Sequence, residues 1–318
     1  MGFIEKGFTG KNKGWIYVLT MILVFLGTQV ASIPLGLVAF FQVEGDLEKF
    51  IEAGATSFMN IGIDTSLFLF LMIFTFMIAV LVLYLCVKYI HKKKFVSIVT
   101  SREKMDWKRI SYAFTLWGTI SVVAIFIGIY ASPEDYIWNF KPVPFFILVF
   151  VSFVFLPFQT SSEELIFRGY LMQGFGILFK NRWAPLILTS VIFGLLHGMN
   201  PEVEKLGYIL MVFYIGTGFL YGITTLMDDG IELALGLHAS NNIVAAFLVT
   251  TDWMVFRTDA LYIDISKPSV DVEMFLSVFV LYPVLLVVFS KKYGWKNWRK
   301  KLFGKVQETS IETTSQSI

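Results

Sequence analysis

The sequence predicts an all-α, polytopic integral membrane protein with about eight transmembrane helices. Three observations predict it. The 318 residues are 56% hydrophobic and 16% charged, with a mean hydropathy of +0.69, whereas ordinary soluble domains are about 45–50% apolar and about 25% charged. Apolar runs recur at about 20 residues, the length of helix that crosses a bilayer core. The basic residues are segregated into alternate connecting segments. Lipid offers no partner to an exposed backbone N–H or C=O, so each run is helical. This composition excludes a water-soluble enzyme, a disordered chain and a secreted disulfide scaffold. The single cysteine, Cys86, cannot form an intrachain disulfide. Basic residues flank apolar spans rather than forming a separate basic domain, so nucleic acid is not an expected partner and membrane lipid is.

The spans fall at 15–41, 67–87, 111–130, 143–165, 183–200, 206–226, 231–250 and 273–290. The first follows Lys6, Lys11 and Lys13 as a signal peptide would, but its apolar stretch is too long for one. Pro34 is expected to kink it. With the N-terminus inside, segments 1–14, 88–110, 166–182, 227–230 and 291–318 carry 21 of the 26 Lys and Arg. The outside loops 42–66, 131–142, 201–205 and 251–272 carry five and are acidic, with Glu44, Asp46, Glu48, Glu52, Glu134, Asp135, Asp252 and Asp259. The positive-inside rule then predicts cytoplasmic termini. Asp228-Asp229-Gly230 is an acidic turn on the inner side, but acids contribute little to orientation. No internal repeat is visible. A single domain over 1–305 is expected, with a Ser/Thr/Glu-rich disordered cytoplasmic tail at 306–318.

The first three spans hold almost nothing ionisable; the polar residues concentrate in spans four to seven. A charge in the bilayer costs about 2.5–3.5 kcal/mol on insertion scales and marks function by default. Glu163 and Glu164 close the fourth span, His197 lies late in the fifth, and His238 and Asn242 lie in the seventh. The remaining histidine, His91, sits in a Lys-rich loop and is expected to be solvated. Adjacent helical residues diverge by about 100°, so the two carboxylates cannot face one cavity equally. Glu164 and Arg168 are four apart and can pair, leaving Glu163 as the reactive carboxylate. His238 and Asn242 share a face; Asn241 points elsewhere and reads as structural. Phe193 is one turn before His197 and walls the site, while Gly194 and Gly198 offer small-residue spacing for close helix approach. Each feature alone has a plain reading as an interfacial ion pair, an interhelical hydrogen bond or a packed histidine. Together they make a minimal hydrolytic set of base, polarising imidazole and amide donor. Glu163, His197 and His238 could equally hold a divalent metal such as zinc with an open position for water.

The motifs Glu163-Glu164-x-x-x-Arg168, Phe193-x-x-x-His197 and His238-x-x-x-Asn242 resemble, in order and spacing, those of the CPBP intramembrane endopeptidases. That family includes the Rce-type CAAX prenyl endopeptidases and the bacterial Abi proteins. The resemblance spans about residues 140–250, the catalytic core that it implies. It implies eight helices around a cavity open to the cytoplasm, and hydrolysis of a peptide bond in a peptide or membrane-associated protein. Glu163 would activate water, His197 position it, and His238 and Asn242 stabilise the oxyanion. Glu164 and Arg168 would hold these groups in place, and the metal requirement stays open.

Two other functions fit buried Glu and His residues: a proton-coupled transporter and a non-catalytic membrane scaffold. One geometric tension accompanies the hydrolytic reading. Glu163 lies near the inner end of its span, yet His197 lies 14 residues beyond the start of its own. Residues 165–179 are apolar despite Arg168, so the fourth helix is expected to continue, or a half-buried helix to follow.

Overall fold

Long runs of Leu, Val, Ile and Phe without a polar face give helices that must face lipid or pack on all sides. The computed structural model describes residues 1–55, 58–254, 257–270 and 275–308 and is 75% helical. A short 3-10 turn, Ile4–Phe8, precedes α1 (Gly14–Gln42), which carries Pro34 internally. α2 (Leu47–Ala55) is short; α3 (Thr65–Ile90) and α4 (Trp107–Ala131) are long. The Asp64 and Asp106 side chains accept from backbone N–H groups of the first turns of α3 and α4, satisfying donors that a helix start leaves unpaired. α5 runs from Pro142 to Phe179 without a break, through a π-helical stretch at Leu165–Leu171. α6 (Trp183–Leu196) is followed by a 3-10 turn His197–Met199, α7 (Pro201–Leu206), α8 (Met211–Asp228) and α9 (Glu232–Leu248). A helix over 275–293, α10, and the short α11 (Trp298–Phe303) complete the described chain.

Among the described residues five helices are long and apolar enough to cross a membrane, and the chain is an integral membrane protein: Gly14–Gln42, Thr65–Ile90, Trp107–Ala131, Pro142–Phe179 and Tyr208–Asp228. The other three expected spans differ. Trp183–Met199 is apolar but shorter, and α9 has 17 residues and is buried along most of its length. The span expected at 273–290 begins partly outside the described residues and continues as α10. The fold is not purely helical either. Strands β1 (Tyr136–Trp138), β3 (Tyr262–Asp264) and β2 (Val249–Thr250) form a small sheet in that order, β1 antiparallel and β2 parallel to β3.

Hydrogen bonds separate the bundle into two ends. At one end His91 meets Lys11, Arg182 meets Glu5 and Gly304, and Thr100 meets Gly230. At the other, Thr65 and Lys141 meet Asp259, Arg257 meets Asn60, and the sheet ties 136–138 to 249–264. The basic and acidic segments of the sequence therefore gather at opposite ends. The acidic turn at the basic end is neutralised there: Arg102 and Arg109 each donate to Asp228 Oδ2 at 2.8 Å, Trp295 donates to Asp228 Oδ1, and Lys301 pairs with Asp229. The first residues of the expected tail are packed against the bundle. Val306 is buried and its N–H donates to the Lys180 carbonyl, while 309–318 lie outside the described residues.

His91 is fully buried, not solvated. Its Nδ1 donates to the Lys11 carbonyl at 2.7 Å and its Nε2 accepts from the Tyr170 hydroxyl at 2.7 Å, an arrangement that suits the neutral ring. Burial, and then the neighbouring Lys93 ammonium, push it down to about 4. The unfolded histidine titrates near 6.5, so between about pH 6.5 and 4 the unfolded chain binds more protons and stability is lost as pH falls. Thermal unfolding in detergent should therefore drop in midpoint from pH 7 to pH 4.5. The His91→Gln variant should be less stable at pH 7 but show a shallower slope; an equal slope refutes the assignment.

Candidate active site

Glu163 sits where α5 passes from regular α-helix into its π-helical stretch, a wider winding that often marks functional positions. The continuation of α5 resolves the depth problem. Phe179 lies 16 residues beyond Glu163, about 24 Å, and His197 lies 14 residues beyond Trp183, about 21 Å. Measured from the basic end, the two side chains reach similar depth. Glu163, Phe193, His197, His238, Asn241 and Asn242 line one cavity of about 430 Å³. α3 closes one wall with Leu69, Met72, Ile73 and Phe76, and α8 contributes Phe213, Tyr214, Thr217 and Tyr221.

A second cavity of about 400 Å³ shares Phe76, Glu163, Phe193, His197 and Asn200 with the first and lies against Met21, Val24 and Phe25 of α1. The lining of the first also includes Asn200, Glu202 and Met254. A neighbouring polar chamber of about 720 Å³ shares Met72 and Asn200 with it and is bounded by Asn60, Lys205, Asp252 and Arg257, loops of the acidic end.

Close helix approach fixes the walls. A side chain at Gly218 would stand 2.6 Å from the Ser190 carbonyl oxygen, and one at Gly194 would strike Ile215. Hence α6 and α8 pack backbone to backbone just beside Phe193 and His197. Gly198 makes no such contact, since it lies in the 3-10 turn beyond α6.

Glu164 and Arg168 are both fully buried and paired, Nη1 to Oε1 at 3.1 Å. Arg168 also donates through Nη2 to the Gly218 carbonyl on α8 at 3.2 Å, and its guanidinium carbon lies 4.2 Å from the Phe193 ring centre. It is thus a core side chain, although its place in the sequence counted it with a basic loop. Glu164 Oε1 accepts a second hydrogen bond from His238 Nδ1 at 2.9 Å, which turns the opposite nitrogen toward Glu163. His238 Nε2 and Glu163 Oε2 are 3.7 Å apart, beyond a direct hydrogen bond. Glu163 Oε2 has no hydrogen-bond donor among the described residues. The Tyr221 ring stacks on His238 at 5.1 Å. His197 Nδ1 donates to the Phe193 carbonyl at 2.8 Å and its ring stacks on Tyr214 at 4.5 Å, leaving Nε2 for a cavity ligand.

Four contributors were not singled out by the motifs. Gln159, one turn before Glu163, bridges Glu163 Oε1 and Asn242. Its signal was a lone amide four residues before a carboxylate in an apolar run. Tyr214, Tyr221 and Trp117 gave none, because aromatic residues abound in these helices. Asn241 does not point away: it lines the cavity and donates to Asn242 Oδ1 at 3.2 Å. The metal expectation fares differently. Among the described residues no three His, Cys, Asp or Glu side chains gather to hold a cation, so Glu163, His197 and His238 do not fit as a ligand set.

Removing one partner of a buried ion pair strands the other, at a cost of about 3–5 kcal/mol. Arg168→Met should therefore lower the unfolding midpoint sharply, and Glu164→Gln with Arg168→Met together should recover part of the loss. A double variant no better than the single one would show that the pair is not coupled.

Residues 141–244 match the Rce1-like family, described as type II CAAX prenyl endopeptidase Rce1-like. All three motifs lie within that stretch. An uncharacterised protein of Bacillus subtilis (strain 168), YyaK, is 35% identical over 171 residues, 52% of this chain and 56% of that protein. The chain thus spans about half the length of that relative. No solved structure matches. The resemblance first carried by three short motifs holds over the segment that brings Glu163, His197, His238 and Asn242 to one cavity: residues 141–244 are similar to the Rce1-like family.

Proposed function

We propose that the chain is an intramembrane endopeptidase that hydrolyses a peptide bond in a peptide or membrane-associated protein, with Glu163 as general base. One observation carries the reading: Glu163 Oε2 and His238 Nε2 face each other at 3.7 Å in a cavity that His197 and Asn242 also line. A water between these groups could give its proton to Glu163 while its oxygen attacks the substrate carbonyl carbon. His197, with Nδ1–H held by the Phe193 carbonyl, accepts from that water through Nε2 and aims it. As the carbonyl oxygen becomes anionic it can accept from His238 Nε2–H and from the Asn242 N–H that Gln159 leaves free. His238 Nδ1 donates to Glu164 at 2.9 Å, and donation from both nitrogens requires the imidazolium. Glu163 then passes its proton to the leaving amine as the C–N bond breaks.

Glu163→Gln should lower cleavage at least about 100-fold while helix content and elution volume stay unchanged. Peptides and membrane proteins from cells carrying wild type or Glu163→Gln, compared by mass spectrometry, would supply the substrate. Identical profiles remove the protease reading and leave a scaffold or a transporter.

The bias of 21 basic residues against five supports cytoplasmic termini. Native Cys86 is buried and silent. In intact cells an impermeant thiol reagent should therefore label Asp252→Cys but not Lys296→Cys; the reverse pattern inverts the orientation.

A further inference from the structure

Four hydrogen bonds run in one sense from α4 through α9 to α5. Trp117 Nε1 donates to Asn241 Oδ1 at 3.2 Å, and Asn241 Nδ2 donates to Asn242 Oδ1 at 3.2 Å. Asn242 Nδ2 donates to Gln159 Oε1 at 2.9 Å, and Gln159 Nε2 donates to Glu163 Oε1 at 2.5 Å. Three of the five groups are primary amides. Each can turn end for end with almost no change of shape, so on their own they could run in either sense. The two ends differ. An indole is a donor only, and an ionised carboxylate is an acceptor only.

We propose that Trp117 is a positioning residue for Glu163: its indole N–H fixes the sense of the amide chain, so that Gln159 presents an N–H rather than a C=O to the carboxylate. Trp117 does not itself line the cavity and acts through three side chains. It is buried beside Tyr282, ring centres 5.9 Å apart, where the indole N–H has a fixed direction. Were the chain to run the other way, the Gln159 carbonyl would confront Glu163. Two acceptors can then be reconciled only by a proton on Glu163, and a carboxyl that already carries one cannot take another from water. Asn242 is held by the same constraint: one of its N–H groups goes to Gln159, leaving the other for a ligand.

The other charged or titratable groups around this cavity, among the described residues, are His238 from α9, His197 from the turn after α6, Tyr214 and Tyr221 from α8, Glu202 from α7, and Glu164 with Arg168 on α5 itself. The cavity wall from α3 offers only apolar side chains. None of these groups lies in the amide chain, so altering Trp117 or Asn241 leaves them in place. The catalytic consequence rests on the protease reading; the sense of the chain does not.

Dicyclohexylcarbodiimide, an apolar reagent that attacks protonated carboxyls, separates the two claims. The full chain in detergent is treated at pH 7, and labelling of each carboxyl is followed by peptide mapping, with Glu163→Gln as the blank. Trp117→Phe should label at Glu163 at least about tenfold faster than wild type, the ratio that one unit of proton affinity gives. Asn241→Asp should do the same without altering a core ring. The carboxylate it introduces can still accept from Trp117 but offers Asn242 only an acceptor, which reverses the remaining amides. On the substrate identified by mass spectrometry, both variants should lose kcat with KM unchanged.

Unchanged labelling at Glu163 in both variants overturns the proposal. So does an increase spread equally over remote carboxyls such as Glu5, which would report loosening of the bundle. The labelling needs no substrate. Expected labelling together with full cleavage by Glu163→Gln would sink the protease reading and leave the positioning role of Trp117 intact.

Discussion

A single buried ion pair organises the interior. Glu164 and Arg168 lie one turn apart on α5, and each takes part in one further hydrogen bond to another helix. Arg168 reaches the Gly218 carbonyl on α8 and lies against the Phe193 ring of α6; Glu164 reaches His238 on α9. Three helices are thereby indexed against α5 by charge-assisted contacts in a region where lipid supplies none. Such a pair is a poor source of net stability, because removing both charges from water costs about as much as their attraction returns. Its value is geometric. A misplaced helix would leave a full charge buried without a partner, so the arrangement is held by the penalty of every alternative.

That indexing makes two adjacent carboxylates unlike. Glu164 accepts from Arg168 and His238 and is enclosed, whereas Glu163 faces the cavity with one oxygen held by Gln159 and the other directed toward His238. The π-helical stretch begins directly after them, where Arg168 must turn inward rather than outward. Glycines at 194 and 218 let α6 and α8 approach far enough for Phe193 to cover the guanidinium. Charge is segregated on a larger scale as well. Acids at the basic end are matched by Arg102, Arg109 and Lys301, so the turn at Asp228 and Asp229 conforms to the basic end once its partners are in place.

The amide chain adds a different kind of order. Glu164, Arg168 and His238 are placed by charge; Gln159, Asn241 and Asn242 are placed by hydrogen-bond polarity, with a donor-only ring at one end. In an interior of low polarity both are strong constraints, because an unmatched donor or acceptor has no water to turn to.

Much of this was legible in the sequence. Hydropathy alone determined a helical membrane protein, and the alternation of basic segments sorted the loops into the two groups that meet at opposite ends. The i, i+4 spacing paired Glu164 with Arg168 and set His238 and Asn242 on one face, because helical geometry is local. Tertiary structure decided what depends on which surfaces meet. It buried His91 against Tyr170, extended α5 past Glu163 and turned Asn241 into the cavity. None of these is encoded within one turn of helix. Each arises from side chains far apart in sequence that satisfy one another's hydrogen bonds, and only the packed bundle specifies which of them come within reach.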